Sequence, residues 1–326
     1  MHGGAVALAD RLLAAEQPFD AILATDMLDL STLLALTRRR TADLPVVLYM
    51  HENQLTYPWS PQDRDAATDR DRHYAFINLV SALAADRVVF NSIFHRESFL
   101  GELPGFVNGF PDHRPAVDHL GDRSEVIVPG VDFRELDAAR PDAIERFDRP
   151  LLLWNHRWEY DKAPQPFFEA LFELQDRGVE FRLAVFGERM GSWPDIFDVA
   201  RDRLSDRIVH WGHVADRSDY IAWMWRADIL PVTSVQDFFG LSIVEAMACN
   251  VFPLLPHRLA YPEHIDPAYH RTFFYDDHRD LVNRLQRLIF DVALPRKMDV
   301  RRHIARYDLN TVIHQYDDLF DRITAA

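Results

Sequence analysis

Four polar side chains follow an apolar run in the stretch VVLYMHENQLTYP. His51, Glu52, Asn53 and Gln54 stand directly after five apolar residues at 46–50. A strand that leaves a core needs such groups to bond its last carbonyls and amides. In open α/β sheets, ligands also bind in the crevice outside the carboxyl ends of the strands. These residues therefore predict either a polar turn or one wall of a ligand site, and their types alone leave both interpretations open.

A second polar segment, LLLWNHRWEYDKAPQPFF, places two cations after another apolar run. Arg157 and Lys162 stand five residues apart, just ahead of a predicted helix. A guanidinium and an ammonium at the carboxyl edge of a sheet suit a diphosphate, because they would neutralise the charge that develops on it as it leaves. The alternative, equally open, is a pair of loop cations that bond Glu159 and Asp161.

A third segment, TSVQDFFGLSIVEAMACN, surrounds the start of a predicted helix with two carboxylates and a glycine. Asp237 and Gly240 precede the helix, and Glu245 lies in its early turns. Free backbone amides at a helix start form an anion site, and a glycine there lets the backbone approach a ligand closely. The two carboxylates could accept hydrogen bonds from sugar and ribose hydroxyls. Asn250, where the helix stops, suits the left-handed cap conformation and is interpreted as structural.

Short apolar runs alternate with longer amphipathic ones along the chain, and these elements must position the polar segments. Strands are predicted at 21–24, 46–50, 87–90, 125–128, 151–154, 181–186, 207–211, 228–232, 251–255 and 272–275. Helices are predicted at 31–40, 71–85, 92–101, 165–177, 195–204, 217–226, 241–249 and 279–293. This alternation is typical of parallel sheets built from βαβ units, so the sequence predicts an α/β fold.

The length of the chain indicates two domains. With 326 residues, of which 48% are hydrophobic and 12% aromatic, it exceeds a single ordinary core. The charged, proline-bounded stretch at 141–150 predicts a linker between two Rossmann-like halves. We therefore predict an N-terminal domain over 1–140 and a C-terminal domain over 151–326 that ends in helices.

The composition argues against several classes of protein. The longest apolar runs are far shorter than the ~20 residues of a membrane helix, and the N-terminus lacks the basic region of an export signal. We therefore predict a cytoplasmic protein without a membrane span. Cys249 is the only cysteine, which rules out an internal disulfide and a cysteine-rich zinc site. The sequence has no dinucleotide fingerprint, P-loop or metalloprotease pair of histidines, which argues against nicotinamide and ATP.

The net charge argues against general affinity for nucleic acid. Lys and Arg total 36 against 51 Asp and Glu, which gives −15, whereas non-specific binding to nucleic acid needs a basic face. The arginine clusters at 38–40 and 301–302 are interpreted as solvated helix ends. Two Asp-Arg-Asp triplets, at 63–65 and 69–71, lie in a charged run that is interpreted as a solvated loop rather than a metal site.

Together these motifs resemble a known family. The chain has an Arg with a Lys five residues on, followed later by an acidic residue, a Phe-Gly pair and a Glu eight residues after the acid. This pattern is similar to that of the retaining nucleotide-sugar glycosyltransferases of family 4, which have the GT-B fold. Six strings resemble, in order and over nearly the whole chain, the tRNA-queuosine α-mannosyltransferase family, the glycosyltransferase-like domain-containing group. They are LATDMLDL, HENQLTYP, VVFNSIFHRESFL, PDHRP, HRWEYDK and DFFGLSIVEAMAC. The resemblance implies two Rossmann-like domains with parallel sheets that face each other across a cleft.

The resemblance also implies roles for individual residues. Arg157 and Lys162 would hold the donor diphosphate, and His51 would face the reacting sugar from the N-terminal domain, which makes these three the catalytic candidates. Glu245 would bind the nucleotide ribose, and Asp237 would bind the transferred sugar with the neighbouring backbone. The implied donor-binding residues are Asp237, Phe239, Gly240, Leu241 and Glu245. The implied acceptor-side candidates are Glu52, Asn53, Gln54 and Arg114, with a turn-forming role still open for the first three.

The activity that the resemblance implies is transfer of mannose from GDP-mannose to the queuosine in the anticodon of a tRNA. The transfer would retain the anomeric configuration by front-face attack, with the donor phosphate helping to deprotonate the acceptor hydroxyl. It would need no protein nucleophile, no metal and no cofactor beyond the co-substrate GDP-mannose. Two alternatives stay open. One is a GT-B glycosyltransferase that acts on a small-molecule acceptor, and the other is a nucleotide-sugar-binding protein without turnover.

Two features depart from the family pattern. Asp237 stands where the wider family usually has Glu, a side chain one methylene longer, so contacts to the sugar would be shifted or bridged by water. Members of the family also begin with a strand and a Gly-Gly-Ser-His loop ahead of the point where this chain starts at MHGG. The resemblance thus implies an N-terminal domain that lacks its first βα unit, through a misassigned start codon, a truncation or a sheet short of one strand.

Overall fold

The computed structural model describes residues 4–58, 72–109, 117–188 and 194–325. It divides the chain into two compact units, one formed by Met1–Pro129 with Val312–Ala326 and the other by Gly130–Thr311. These bounds differ from the predicted domains over 1–140 and 151–326 in two respects. The second unit begins ahead of the expected linker, and the last residues of the chain belong to the first unit.

The first unit contains a four-stranded parallel sheet in the order β1-β2-β3-β4. Its elements are α1 (Gly4–Ala14), β1 (Ile22–Thr25), α2 (Leu30–Thr41), β2 (Val46–Met50), α3 (Arg72–Ala84), β3 (Arg87–Phe90), α4 (Ile93–Phe106), a 3-10 turn (Val107–Gly109) and β4 (Ser124–Val126). The order of the strands follows the chain, so each crossover returns beside the previous strand. This arrangement confirms the predicted parallel α/β architecture for the N-terminal half.

The second unit contains a six-stranded parallel sheet in the order β10-β9-β8-β5-β6-β7. Its strands are β5 (Leu151–Trp154), β6 (Arg182–Phe186), β7 (Ile208–Gly212), β8 (Ile229–Pro231), β9 (Phe252–Pro256) and β10 (Phe274–Tyr275). Its helices are α5 (Phe133–Ala138), α6 (Pro164–Asp176), α7 (Ile196–Arg203), α8 (Arg217–Arg226), α9 (Leu241–Ala248), α10 (Tyr261–His264), α11 (His270–Phe273), α12 (His278–Phe290) and α13 (Ala293–Lys297). Further 3-10 turns cover Tyr160–Lys162, Pro267–Tyr269 and Arg301–Tyr307.

The strand order of the second unit reverses between β5 and β8. From β5 the chain moves outward through β6 and β7, and it then returns to the other side of β5 to form β8, β9 and β10. Loops that leave neighbouring strands at such a reversal diverge and leave a crevice at the carboxyl edge of the sheet. The loops after β5 and β8 contain the two polar segments that the sequence predicts as donor-binding, so both lie at this crevice.

A strand lies at each of the ten predicted positions. The bounds shift at β4, which covers Ser124–Val126 rather than 125–128, and at β10, where α11 takes up the first two residues of the predicted strand at 272–275. Asn250 has the left-handed conformation expected of a helix cap, with φ 62°, and its side chain bonds the backbone of Met298 and Val300. Cys249 is buried, as its interpretation as a small hydrophobe predicts.

The C-terminal helix α14 (Leu309–Thr324) explains why the chain ends in the first unit. Alternate residues of a strand point to opposite faces of the sheet, so Val47 and Tyr49 lie on the face away from the main core of this unit. The buried side chains of Val312 and Leu319 cover that face. In the described ranges, neither α14 nor any other helix is long and apolar enough to cross a membrane.

Replacing Leu319 by Ala should test this packing. Leu319 is 0% exposed, so the variant should lose about 2–5 kcal/mol of unfolding free energy, the range for a buried leucine truncated to alanine. Ile313, on the same helix, is 42% exposed, and its replacement by Ala should change stability by no more than about 0.5 kcal/mol. Denaturant unfolding measures both variants. Equal losses would show that α14 does not cover the sheet as described.

Candidate active site

Lys162 joins the two loops that meet at the crevice of the second unit. Its ammonium lies 2.7 Å from Asp237 Oδ1 and 3.0 Å from Asp161 Oδ2, and it donates to the carbonyl of Gln236 at 3.0 Å. The side chain is 10% exposed. Lys162 thus has three oxygen partners, and it neutralises a carboxylate from each of the two loops.

Backbone and hydroxyl contacts hold the same two loops together. The Thr233 hydroxyl, after β8, donates to the carbonyls of Ala163 at 2.8 Å and Lys162 at 3.2 Å. The backbone N–H of Val235 donates to the carbonyl of Asp161 at 2.8 Å. Ala163 has a left-handed conformation with φ 47°, which ends the 3-10 turn and lets α6 begin at the next residue. The loops therefore form one bonded layer above the sheet.

The charges of the buried pair stabilise each other. Burial opposes ionisation of Asp237, but the Lys162 ammonium outweighs it and lowers the pKa of this carboxyl below its ordinary value of 3.8. Burial likewise opposes protonation of Lys162, but Asp237 and Asp161 raise the pKa of its amine above 10.5. The stability that the lowered pKa contributes is present above 3.8 and is lost as pH falls through the lowered value. The stability from the raised pKa is lost only as pH rises through the raised value, so the pair stabilises the fold throughout the neutral range.

Arg157 lies on the same loop in a different environment. Its side chain is 60% exposed, and one guanidinium nitrogen lies 3.1 Å from Glu159 Oε2. Burial raises the pKa of Glu159 above its ordinary value, although Arg157 opposes the shift. The contacts that the sequence leaves open as an alternative, Arg157 with Glu159 and Lys162 with Asp161, are therefore both formed. The predicted role of Arg157 and Lys162 on a diphosphate stays a prediction.

The start of α9 is fixed by a glycine and by two residues that the sequence analysis missed. Gly240 has φ 83°, and a Cβ there would lie 3.2 Å from both Ile243 and Tyr261. Asn155 Nδ2 donates to the carbonyl of Ser242 at 2.7 Å, and His156 Nδ1 lies 3.1 Å from the Ser242 hydroxyl. Asn155 and His156 directly follow β5, which is the only signal in the sequence that could have identified them. The end of β5 thus holds the first turn of α9.

His156 is a neutral residue of this cluster. Burial lowers the pKa of its imidazole to about 4, so at neutral pH one ring nitrogen carries a proton and the other is an acceptor. Among the described residues, its Nε2 has no hydrogen-bond partner. His156 therefore contributes a hydrogen bond to Ser242 without adding a charge beside Lys162.

The Asp237 carboxylate and the Phe239 backbone, which are predicted to bind the donor, already have hydrogen-bond partners within the protein. The Tyr261 hydroxyl donates to Asp237 Oδ2 at 2.5 Å, so both carboxylate oxygens have a partner. Phe239 is buried, and its carbonyl lies 2.7 Å from His264 Nε2, whose imidazole pKa burial lowers to about 4. Leu241, the first residue of α9, is exposed. A ligand at this position would contact the remaining lone pairs of the Asp237 carboxylate and the exposed start of α9.

Glu245 lies on α9 and pairs with Arg217. Their closest atoms are 2.5 Å apart, and Arg217 also contacts Glu135 at 3.1 Å. Burial opposes the charge of Arg217, but the two carboxylates raise its pKa above the ordinary value. A ribose bound to Glu245 would therefore share this carboxylate with Arg217. Arg217 is not among the residues that the sequence predicts, since it lies on α8, 28 residues ahead of Glu245.

Polar residues at three strand ends meet in the first unit. Asp26, His51 and Asn91 directly follow β1, β2 and β3. The His51 backbone N–H donates to Asp26 Oδ1 at 2.7 Å, and the ring Nδ1 lies 3.3 Å from the same oxygen. Asn91 Nδ2 donates to the His51 carbonyl at 2.8 Å. The predicted catalytic candidate His51 is thus held by two residues that the sequence analysis did not single out.

Three of the acceptor-side candidates, Glu52, Asn53 and Gln54, lie at a turn. Asn53 is buried, and its Oδ1 accepts hydrogen bonds from the backbone N–H groups of Leu55 at 3.0 Å and Thr56 at 2.9 Å, as in an Asx turn. Gln54 Nε2 donates to Glu52 Oε1 at 2.9 Å. Asn53 therefore makes the contacts of a turn-forming residue, and acceptor roles for Glu52, Asn53 and Gln54 stay predictions.

Several sequence predictions lie outside the described residues. They concern Arg114 and the Asp-Arg-Asp triplets at 63–65 and 69–71. Within the described ranges, no group of three His, Cys, Asp or Glu side chains is arranged to hold a metal ion. Independence from metal and cofactor accordingly stays a prediction.

Comparison with known sequences gives two family matches. The family described as tRNA-queuosine alpha-mannosyltransferase N-terminal matches residues 1–131, and glycosyl transferases group 1 matches residues 149–291. The tRNA-queuosine alpha-mannosyltransferase of Drosophila melanogaster is 29% identical over 96% of this chain and 83% of its own length. A D-inositol 3-phosphate glycosyltransferase of Xylanimonas cellulosilytica is 30% identical over 40% of this chain and 34% of its own length.

Comparison with solved structures shows the fold. Sucrose-phosphate synthase from Thermosynechococcus elongatus superposes with a TM-score of 0.73 at 17% identity, covering 98% of this chain and 77% of its own. Anabaena HepE in complex with UDP gives 0.66 at 15% identity, covering 98% and 82%. These likenesses confirm the predicted fold class, GT-B with two Rossmann-like units.

The buried ion pair yields a pH-dependent prediction. Replacing Asp237 by Asn should lower the unfolding free energy by about 3–5 kcal/mol at neutral pH, because Lys162 stays buried and loses a charged partner. The difference from wild type should shrink as pH falls from 3.8 through the lowered pKa of the folded Asp237 carboxyl, since the wild-type carboxylate becomes protonated over that range. Denaturant unfolding at a series of pH values measures it.

A surface pair provides the matched control. Glu173 pairs with Arg177 one helical turn away at 2.6 Å, and both side chains are partly exposed. Replacing Glu173 by Gln makes the same change of charge to amide and should alter stability little at any pH. If Asp237→Asn behaved like this control at neutral pH, the ion pair would not be holding the two loops.

Proposed function

Because this chain belongs to the tRNA-queuosine α-mannosyltransferase family, we propose that it transfers mannose from GDP-mannose to the queuosine of a tRNA. Membership of the family makes it a glycosyltransferase, in agreement with the group 1 match over residues 149–291. The donor, the acceptor and retention of configuration are the proposed parts. The observation that supports the donor is the crevice between β5 and β8, where two cations and a helix start lie at one sheet edge. The acceptor and the retention of configuration are supported by the family match.

The donor diphosphate would bind at this crevice. Arg157 is exposed and bonds only one described carboxylate, so it can exchange Glu159 for phosphate oxygens at small cost. Lys162 keeps its place between Asp161 and Asp237 and adds a fixed positive charge beneath the ligand. The amides at the start of α9 favour negative charge by the helix dipole. Together these groups would stabilise GDP as it leaves.

The sugar and the nucleoside would bind on either side of the diphosphate. Glu245 would accept hydrogen bonds from the ribose, in competition with Arg217. Asp237, Gly240 and Leu241 would bind the mannose. Because Lys162 and Tyr261 already bond both oxygens of Asp237, this shorter carboxylate would meet the sugar through its remaining lone pairs or through water.

The reaction would retain the anomeric configuration without a metal, a protein nucleophile or a further cofactor. The acceptor hydroxyl would attack from the face that GDP leaves, and the departing phosphate would take its proton. His51 would contact the reacting sugar, with Glu52, Asn53 and Gln54 as acceptor-side candidates. Arg114 and the exposed Arg38 and Arg39 are the candidates for tRNA phosphate contacts in a cytoplasmic enzyme.

A small-molecule acceptor is the second candidate. Its support is the similarity to a D-inositol 3-phosphate glycosyltransferase over 40% of this chain, together with the net charge of −15. A protein that binds the nucleotide sugar without turnover is the third. All three share the donor site, so acceptor chemistry distinguishes them.

The direct test is to incubate the protein with tRNA that contains or lacks queuosine, together with a panel of nucleotide sugars. We expect an α-mannoside on queuosine-containing tRNA with GDP-mannose, and unchanged activity in the presence of a chelator. Modification of a small metabolite but of neither tRNA would support the second candidate, and nucleotide-sugar binding without product the third. Activity lost to a chelator and restored by Mn²⁺ would refute the metal-free mechanism.

Replacing Arg157 by Ala should separate chemistry from folding. Turnover should fall by about 10²-fold, equivalent to about 2.7 kcal/mol, the scale of one preorganised electrostatic group. Thermal unfolding should be unchanged, because the side chain is 60% exposed. Arg201→Ala, on the exposed surface of α7, is the matched control and should retain full turnover. Turnover within a few-fold of wild type would leave Arg157 as a surface residue that pairs with Glu159.

A further inference from the structure

The first unit contains a buried carboxylate with no obvious structural need for its charge. Asp26 is 1% exposed, and its Oδ1 accepts from the His51 backbone and faces the His51 ring. Its Oδ2 is buried, with no hydrogen-bond partner among the described residues. A buried acceptor left unpaired costs about 1–3 kcal/mol, and more when the group is charged. An asparagine could accept the same backbone hydrogen bond without burying a charge.

The carboxylate determines where His51 carries its proton. A carboxylate only accepts hydrogen bonds, so a ring nitrogen that bonds it must be protonated. With the proton on Nδ1, the neutral imidazole has its lone pair on Nε2. The ring is 59% exposed, so this lone pair can accept a hydrogen bond from a ligand.

Neighbouring groups fix the position of the ring. Asn91 donates to the His51 carbonyl and accepts through Oδ1 from His95 Nδ1 at 2.8 Å. Burial lowers the pKa of His95 to about 3, so this second histidine is neutral. The His51 ring packs against the Tyr49 ring in a T-shaped arrangement, with ring centres 4.7 Å apart. Backbone and ring are thus held independently, and Asp26 alone among these contacts selects the tautomer.

We propose that Asp26 is a positioning residue that holds His51 as the Nδ1–H tautomer, so that His51 Nε2 accepts a hydrogen bond from a substrate hydroxyl. This inference rests on the proposed function, and it assigns a role to a residue outside the donor-site motifs. The ligand class is a polyol, which both the transferred sugar and the diol of queuosine supply. No proton is transferred to His51, because the hydrogen bond only orients the hydroxyl.

The first test is the Asp26→Asn variant, which keeps an oxygen for the His51 backbone and removes the charge. We expect ¹⁵N NMR to show His51 as Nδ1–H in wild type and with a smaller Nδ1–H fraction in the variant, because a neutral amide oxygen accepts this hydrogen bond less strongly than a carboxylate. Turnover should fall about tenfold, and by less than the ~10⁴-fold seen when the aspartate of a Ser-His-Asp triad is replaced by asparagine. The thermal midpoint should stay the same or rise, since a buried charge is removed.

The second test is a double-mutant cycle. If Asp26 acts through His51, then Asp26→Asn should have little further effect on turnover in a His51→Gln background. Asp29→Asn is the matched control, because it makes the same change three residues away at the N-cap of α2, where asparagine caps as well as aspartate. This control should keep wild-type turnover and the wild-type tautomer of His51.

The kinetic constants identify which hydroxyl is bound. A KM raised in Asp26→Asn for GDP-mannose alone indicates the sugar, and one raised for tRNA alone indicates the queuosine diol. An unchanged tautomer, additive losses in the cycle, or a lowered thermal midpoint that accounts for the lost turnover would overturn the proposal. The NMR measurement needs no substrate, so it remains decisive if the proposed acceptor proves wrong.

Discussion

The ion pair between Lys162 and Asp237 is the interaction on which the candidate donor site depends. It joins the loops after β5 and β8 at the point where the strand order reverses, beside the backbone hydrogen bond from Val235 to Asp161. Because both partners are largely buried, removing one leaves an uncompensated charge in the protein interior. Arg157 and the start of α9 are attached to these same two loops. The geometry offered to an anionic ligand is therefore set by a contact within the protein.

This arrangement gives the two cations different tasks. If Lys162 moved away, the carboxylates of Asp161 and Asp237 would repel each other without a neutralising charge. Lys162 therefore supplies a fixed positive charge that needs no reorganisation during a reaction. Arg157 has a weak, exposed pairing with Glu159 and can reorient towards a ligand. A sequence motif treats the two residues as equivalent members of a pair. Their burial separates a preorganised group from an adaptable one.

The sequence predicted the features that neighbouring residues determine, such as strands and helix starts. It did not predict the side-chain pairs that depend on contacts between distant residues. The strands followed from the alternation of short apolar runs with amphipathic ones, and the place of Gly240 just before a helix followed from its position in the sequence. The pairing of Asp26 with His51 spans 25 residues, and that of His156 with Ser242 spans 86, so neither is visible as a spacing. The apolar stripe of α14 likewise indicates that a face is buried, but not which sheet covers it. Asn53 shows a local case, since its Oδ1 accepts from backbone groups only two and three residues away, as the turn interpretation of this segment predicts.

Buried polar atoms without partners provide a further guide to function. Among the described residues, such atoms include Asp26 Oδ2, Asn155 Oδ1, His156 Nε2 and Gln236 Nε2, all in loops at the carboxyl edge of a sheet. Each costs about 1–3 kcal/mol of stability, which a purely structural loop could avoid with an apolar side chain. Such costs persist where function requires the polar group. The same physical argument that marks the crevice beside β5 as a site thus also marks Asp26, on a strand end that no donor-site motif includes.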